Sequence, residues 1–318
     1  MITVISGGVG AARLLRGTAN VVPHDELVTI VNTGDDTVMH GLAISPDLDT
    51  VTYTVSNAID PERGWGLANE AWTTMEALGR FESVKPATSK AGENWFGLGN
   101  RDLATHFYRT TRLAEGATLA EVTTEITRAF GIGFRVLPMT NDRVSTIVTL
   151  LDGSEIAFQE YFVKLRHDVA VRSVRFEGAH AARLLGLEEL RTSRAIIIAP
   201  SNPIVSIGPM RALAGFDDAL ASRRDTVVAV SPIVAGAALK GPADRMLVEL
   251  GHEASAVGVA RLYAPIAGTL VIDNADEHLA PAIEATGMKC VVADTIMKSP
   301  DVAANLTRTC LAAVGVPT

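Results

Sequence analysis

Cysteine is scarce: of 318 residues only Cys290 and Cys310 carry a thiol. They allow one bridge at most and match no zinc-ligand spacing, which excludes a disulfide framework and a cysteine metal site. Both are read as small core residues. An excess of positive charge is also missing. The 28 Lys and Arg residues are outnumbered by 36 Asp and Glu, a formal net charge of −8, which argues against non-specific affinity for nucleic acid or an anionic membrane. Any anionic ligand must therefore be held by local devices. Long apolar runs are absent too, and nothing approaches the roughly 18 consecutive apolar residues of a membrane span. The opening MITVISGGVGAARLL is short, broken by glycines and carries Arg13 and Arg16 in place of a cleavage site. It reads as a buried strand and turn, and the protein is expected in the cytoplasm.

What is present is a large apolar fraction, 47% of the residues, enough to bury a sizeable core. Short β-branched runs end in Gly, Ser, Asn or Asp and lead into helical patterns, as parallel strands feeding βα loops do. These runs predict strands at Ile2–Ser6, Glu26–Asn32, Arg194–Ala199, Thr226–Ser231 and Thr269–Asp273, with a sixth at Lys289–Ala293. The expected fold class is α/β, a Rossmann-like, mostly parallel sheet with helices on both faces and a helical insertion or cap. Residues 1–53 and 178–318 are assigned to the core. Residues 54–177 are assigned to the insertion, with helices near Leu67–Leu78 and Asn100–Leu113 and a hairpin turning at Asp152-Gly153.

Four segments carry candidate chemistry. Ser6-Gly7-Gly8-Val9-Gly10-Ala11-Ala12-Arg13 joins a strand to a helix, where glycines admit a ligand to the backbone and the first amides of the helix can hold phosphate oxygens. It lacks the Lys-Ser/Thr ending of a P-loop. Asn32 stands where a dinucleotide site would use an acid. The second segment, Val31–Thr50, gathers Asp35, Asp36, Asp47 and Asp49, hard oxygen ligands of the kind magnesium takes when it also bridges phosphates; the competing reading is a solvated acidic loop. His40 in the same segment is read as structural. The third pairs Asn57–Gly66 with Asn94–Asp102, placing Trp65 and Trp95 among glycines and charges; they suit a flat heterocycle or simply fill a helical cap. The fourth comprises two loops at strand exits, Ala199–Pro209 and Ser231–Gly236, framed by prolines and short polar side chains.

In this combination the sequence resembles the 2-phospho-L-lactate transferase (CofD) family of coenzyme F-420 biosynthesis, including its actinobacterial phosphoenolpyruvyl-transferring members. The matching elements are GGVGAARLL, VNTGDD with MHG and PDLDT, DPERGWG, WFGLGNRDLATH, FQEYFV, APSNPIVSIGP and SPIVAG, in family order up to about Gly241. The resemblance implies an enzyme of the phosphotransferase class. It would move a phospholactyl, phosphoenolpyruvyl or phosphoglyceryl group from a guanosine diphosphate-linked donor to the ribityl hydroxyl of 7,8-didemethyl-8-hydroxy-5-deazariboflavin, with Mg2+ as cofactor and GMP released.

Carried over by position, Asp35 and Asp49 are the implied metal ligands. Gly8, Val9, Gly10, Arg13, Ser201, Asn202, Pro203, Ser231 and Pro232 are expected on the donor nucleotide and its phosphates. Asp36, Asn57, Asp60, Arg63, Trp65 and Trp95 are expected on the deazaflavin, in the insertion. Asp60 and Asp36 are the candidates for a base, should one be used. Two departures stand out: Ala11 replaces a further glycine, and Ser56-Asn57-Ala58 occupies a commonly glycine-rich place. A homodimer is expected on general grounds. The alternative is a non-catalytic nucleotide-sugar-binding regulator on the same scaffold.

Overall fold

The computed structural model describes residues 1–317. The chain opens with β1 (Ile2–Ser6), α1 (Gly8–Ala19) and β2 (Leu27–Val31), then a small hairpin of β3 (Thr37–Met39) and β4 (Leu42–Ile44). Helices α2 (Pro46–Val55), α3 (Thr73–Gly79), α4 (Asp102–Ala114) and α5 (Leu119–Ala129) follow before β5 (Arg135–Pro138). Next come β6 (Ser145–Leu150), β7 (Glu155–Ala157) and β8 (Val171–Glu177), then α6 (Leu187–Thr192), β9 (Ala195–Ile198), α7 (Gly208–Arg211), α8 (Phe216–Ala221) and β10 (Val227–Val230). A second hairpin, β11 (Ile233–Val234) and β12 (Ala237–Ala238), precedes α9 (Ala243–Glu249), α10 (Ala256–Tyr263), β13 (Thr269–Asp273), α11 (Ala280–Glu284), β14 (Lys289–Ala293) and α12 (Pro300–Ala313).

Seven of these strands form the central sheet in the order β14-β13-β10-β9-β1-β2-β5, every pair parallel. Ile2 stands opposite Leu27 on one side and Ala195 on the other. Successive residues alternate between two cores, because side chains leave a strand on opposite faces. Ile5, Ile30, Ile196, Ile198, Leu270 and Ile272 pack with Met210, Phe216, Val259 and Tyr263. Val4, Val31, Ile197, Val228 and Val271 pack with Leu14, Leu15, Leu306 and Leu311. Helices therefore cover both faces, as the unbroken apolar strands require. Cys310 lies in the second core and Cys290 is half-buried; both are free thiols.

Arg135–Pro138, which the sequence pattern assigns to the insertion, is instead the edge strand of the central sheet, paired with β2 from Val28↔Arg135 to Val31↔Pro138. The insertion between strands of the sheet is thus the run from β3 to α5. The Asp152-Gly153 turn joins β6 to β7 in a separate three-stranded antiparallel sheet ordered β7-β6-β8. The helix that the apolar pattern starts at Leu67 begins only at Thr73. Among the described residues no helix is long and apolar enough to cross a membrane.

Strand order reverses between β1 and β9, so the carboxyl ends of these two strands flank the topological switch point, where open α/β sheets bind ligands. The loops that leave them are Gly7–Gly10 and Ala199–Pro209.

Candidate active site

Three carboxylates, those of Asp35, Asp36 and Asp47, meet where β2 and α2 approach the start of α1. Asn32, fully buried at the end of β2, organises them. Its side-chain oxygen accepts from the Gly34 amide at 2.9 Å, and its Nδ2 donates to Asp47 Oδ2 at 2.9 Å and Asp35 Oδ2 at 3.3 Å. One amide thus draws two carboxylates together. Asp35 is 7% exposed, and its Oδ1 is buried without a partner. Burial, and then the neighbouring Asp47, pushes its pKa well above the usual carboxylate range. Asp36 accepts from Ser45 Oγ at 2.7 Å, while its own Oδ1 is likewise orphaned; burial raises it to about 8. Asp47 is raised to about 6 by burial, against hydrogen bonds from Asn32 and the Gly8 amide. Three carboxylates thus lie side by side in surroundings that oppose their ionisation.

Asp49 points elsewhere. Ser45-Pro46 starts a helix, so Asp47 and Asp49 stand two residues apart on α2, nearly opposite one another around it. Both oxygens of Asp49 are taken by Arg109 of α4: Nη1 donates to Oδ2 at 3.1 Å and Nη2 to Oδ1. Arg109 is 2% exposed. Burial alone would lower its pKa, and Asp49 more than offsets this. The network continues through His106, with Nδ1 3.8 Å from Asp49 and Nε2 3.4 Å from Asp102, to Tyr53, which donates to Asp102 at 2.6 Å. The implied ligand pair Asp35 and Asp49 is therefore divided: Asp35 shares Asn32 with Asp47, and Asp49 belongs to a buried ion pair.

The glycine loop has a packing role. A Cβ on Gly10 would stand 2.3 Å from the Pro200 carbonyl oxygen, and one on Gly7 2.6 Å from Ser206 Cβ. The loops after β1 and β9 press on each other through these glycines. Gly8 alone takes positive φ, 76°, and looks toward Asp47. Among the other expected donor contacts, Ser201 Oγ is buried without a partner. Asn202 instead closes its own turn, accepting from the Ile204 amide at 2.9 Å, and Ser231 bonds the Ile233 backbone. Pro203 and Pro232 bracket these turns.

On the insertion side, Asp60 Oδ1 accepts from the amides of Arg63 at 2.8 Å and Glu62 at 3.0 Å, and Oδ2 pairs with Arg63. Those amides and that cation hold its pKa below the usual range, which suits a carboxylate that shapes a loop and disfavours a base. The Arg63 guanidinium lies 5.5 Å from the Trp65 ring and 5.2 Å from Trp72. Trp65 is 44% exposed and meets Trp72 edge-on. Gly97 seats the second segment on this pair, its place for a Cβ 3.3 Å from Trp65. Trp95 stands in another group, edge-on to Phe96, bonded to Glu93 and capped by Lys164.

Asn57, at φ 57° after α2, borders a cleft of about 410 Å3 lined also by Leu67, Arg101 and Phe130. A more open cleft of about 530 Å3, between Lys164–Asp168 and Gly241–Arg245, contains none of the expected site residues. His40 is exposed in the β3–β4 turn. Sequence reasoning missed Arg109 and Trp72. The polar stripe Asp102, His106, Arg109 along one face of α4 was the available signal for the first, since residues at such spacings share a helical face.

The fold and its side chains define a doubly wound α/β protein with a cluster of carboxylates after β2, at the carboxyl end of the sheet. Residues 2–309 match the family model described as 2-phospho-L-lactate transferase CofD. The chain is 41% identical to a phosphoenolpyruvate transferase of Kitasatospora aureofaciens, over 98% of this chain and 97% of that one. It is 37% identical to one of Mycolicibacterium smegmatis, over 99% of both. A crystal structure of a UPF0052 family member from Bacillus halodurans shares the fold, with a TM-score of 0.60 at 15% identity over 98% of each chain. The chain belongs to the CofD family of transferases.

Proposed function

We propose that the chain transfers a phosphoenolpyruvyl group from a guanosine diphosphate-linked donor to the ribityl hydroxyl of 7,8-didemethyl-8-hydroxy-5-deazariboflavin in coenzyme F-420 biosynthesis, releasing GMP. The observation that carries this reading is the pair of buried, partnerless carboxylate oxygens of Asp35 and Asp36 after β2, in a chain whose residues 2–309 match a transferase family. The full-length phosphoenolpyruvate transferase relatives favour that acid over phospholactate or phosphoglycerate.

Magnesium fits the residues present. The orphaned Asp35 Oδ1 is a hard oxygen in need of a cation, and Asp47 shares its amide anchor. Among the described residues no group of three or more His, Cys, Asp or Glu side chains is arranged to hold a metal. Two carboxylates completed by water and substrate phosphates is the arrangement magnesium accepts. When bound, the ion supplies neutralisation of phosphate charge. In this assignment Asp49 is a positioning residue, fixing α2 through Arg109.

The remaining chemistry falls to the chain itself. The amides of Val9 and Gly10, which follow the Gly8 amide taken by Asp47, would receive a donor phosphate in the first turn of α1 and favour the charge that grows on the oxygen departing with GMP. Arg63, Trp65 and Trp72 offer the deazaflavin a half-exposed aromatic bed. Orienting the ribityl oxygen toward the distal phosphorus supplies much of the rate in such displacements, and no strong protein base is required. The test is an anaerobic assay with the deazaflavin alcohol, magnesium and each of three guanosine-linked donors, read by product mass and GMP release. A mass gain with the phosphoenolpyruvyl donor is expected; no product with any donor would reject the reading.

A further inference from the structure

One group of cations lies apart from the carboxylate cluster and has no ion-pair partner among the described residues. Arg13 and Arg16 are three residues apart on α1, where side chains share a face. Arg16 Nη1 reaches only the Asn57 amide oxygen, at 3.5 Å, and its Nε is buried with no partner. Lys240, from the loop after β12, passes over Gly64 and reaches the Arg63 carbonyl at 3.5 Å. Burial and then the charge of Arg13 lower the pKa of both Arg16 and Lys240, so Arg13 stands in the field of each. Among the described residues none of them has a carboxylate partner, whereas Arg63 beside them is paired with Asp60.

Placing like charges together in a chain of net charge −8 is unfavourable unless something anionic is shared between them. We propose that Arg13, Arg16 and Lys240 form a second anion subsite, separate from the acidic pocket, which takes an oxyanion of the donor. Arg13 lies about 7.5 Å along the helix axis from Gly8. A group bound there is therefore distinct from one lying on the first amides of α1, as an extended, multiply charged donor requires. The subsite sits between α1, the end of α2 and the Asp60–Gly66 loop, on the side of the insertion. Carboxylate and phosphate present the same chemistry to guanidinium and ammonium groups. The three-carbon acid and the nucleotide diphosphate are the two sources.

This inference deepens the transferase reading and rests on it for the identity of the donor, but its test is a binding measurement. The wild-type protein, Arg16→Gln and Lys240→Ala are titrated calorimetrically with GDP and, separately, with phosphoenolpyruvate, in magnesium buffer. Lys240 is exposed, so its variant is expected to fold even if Arg16→Gln does not. Each variant should bind one of the two anions about tenfold or more weakly, the loss of one charge-assisted hydrogen bond. Loss confined to phosphoenolpyruvate assigns the acid, and loss confined to GDP assigns the nucleotide phosphates. Unchanged affinity for both in folded Lys240→Ala, or no binding of either anion by the wild type, overturns the subsite. Wild-type binding without turnover of any donor would reject the transferase reading and leave the subsite standing.

Discussion

Replacing Arg109 by methionine removes the guanidinium that takes both oxygens of Asp49 in a pair almost closed to solvent. Methionine keeps much of the volume, so the cost is electrostatic: a buried carboxylate loses its partner. Breaking such a pair from one side costs about 3–5 kcal/mol. With an unfolding entropy of about 2.1 cal/mol/K per residue, a chain of this length should lose roughly 5–8 °C in Tm. Asp49→Asn alone should also destabilise, because it strands a buried guanidinium. The combined variant, Arg109→Met with Asp49→Asn, removes both charges and should regain most of the loss, since two contacting residues are not additive. Calorimetry on the four proteins in one buffer closes the cycle. A single Arg109→Met variant within about 1 kcal/mol of wild type, or a combined variant no better than the singles, would refute the view that this pair is a buried and mutually dependent unit.

Asp35→Asn removes a buried carboxyl whose ionisation burial opposes and whose Oδ1 has no partner, so Tm in chelated buffer should stay level or rise while turnover falls about 100-fold or more; wild-type activity with magnesium would end the metal assignment. Gly10→Ala drives a methyl against the Pro200 backbone, and about 1–3 kcal/mol of stability should be lost in urea titration; a neutral result would mean the two loops separate freely. Asp273 accepts from the amides of Ala275 and Thr295 and from the Thr295 hydroxyl, and these donors outweigh burial to lower its pKa. A depressed carboxylate contributes above its unfolded pKa, near about 4, and ceases to as pH falls through the lower folded value. Asp273→Asn should therefore cost about 1–3 kcal/mol at pH 7, and the gap to wild type should close below about pH 4.

The strands of the core were legible because each is a short apolar run ending in small polar residues, and all six predicted positions carry one. β5 was not, since Arg135–Pro138 is only four residues long and follows a helical insertion that hides its return to the sheet. The acidic pocket announced itself in composition, but not in its pairing. Read as a loop, Val31–Thr50 leaves Asp47 and Asp49 equivalent; read with Pro46 at the first helical position, it sends them to opposite sides of α2, one toward Asn32 and the other toward Arg109. Arg109 itself lies past the recognised motif, and only its helical spacing from His106 connected it to the network. Asn202 and Ser231 close turns in the fold, and since turn-closing residues and ligand-binding residues are drawn from the same small polar set, residue type alone does not separate the two roles.

The contact between Gly10 and the Pro200 carbonyl ties the two halves of the sheet together at the point where their order reverses. A side chain at Gly10 would meet backbone, which gives way less readily than the end of a flexible side chain. Packing alone therefore holds this position to glycine. A glycine after the first strand can be a seam between halves of a sheet as well as a berth for phosphate, and here one residue of the motif is already spoken for by the fold.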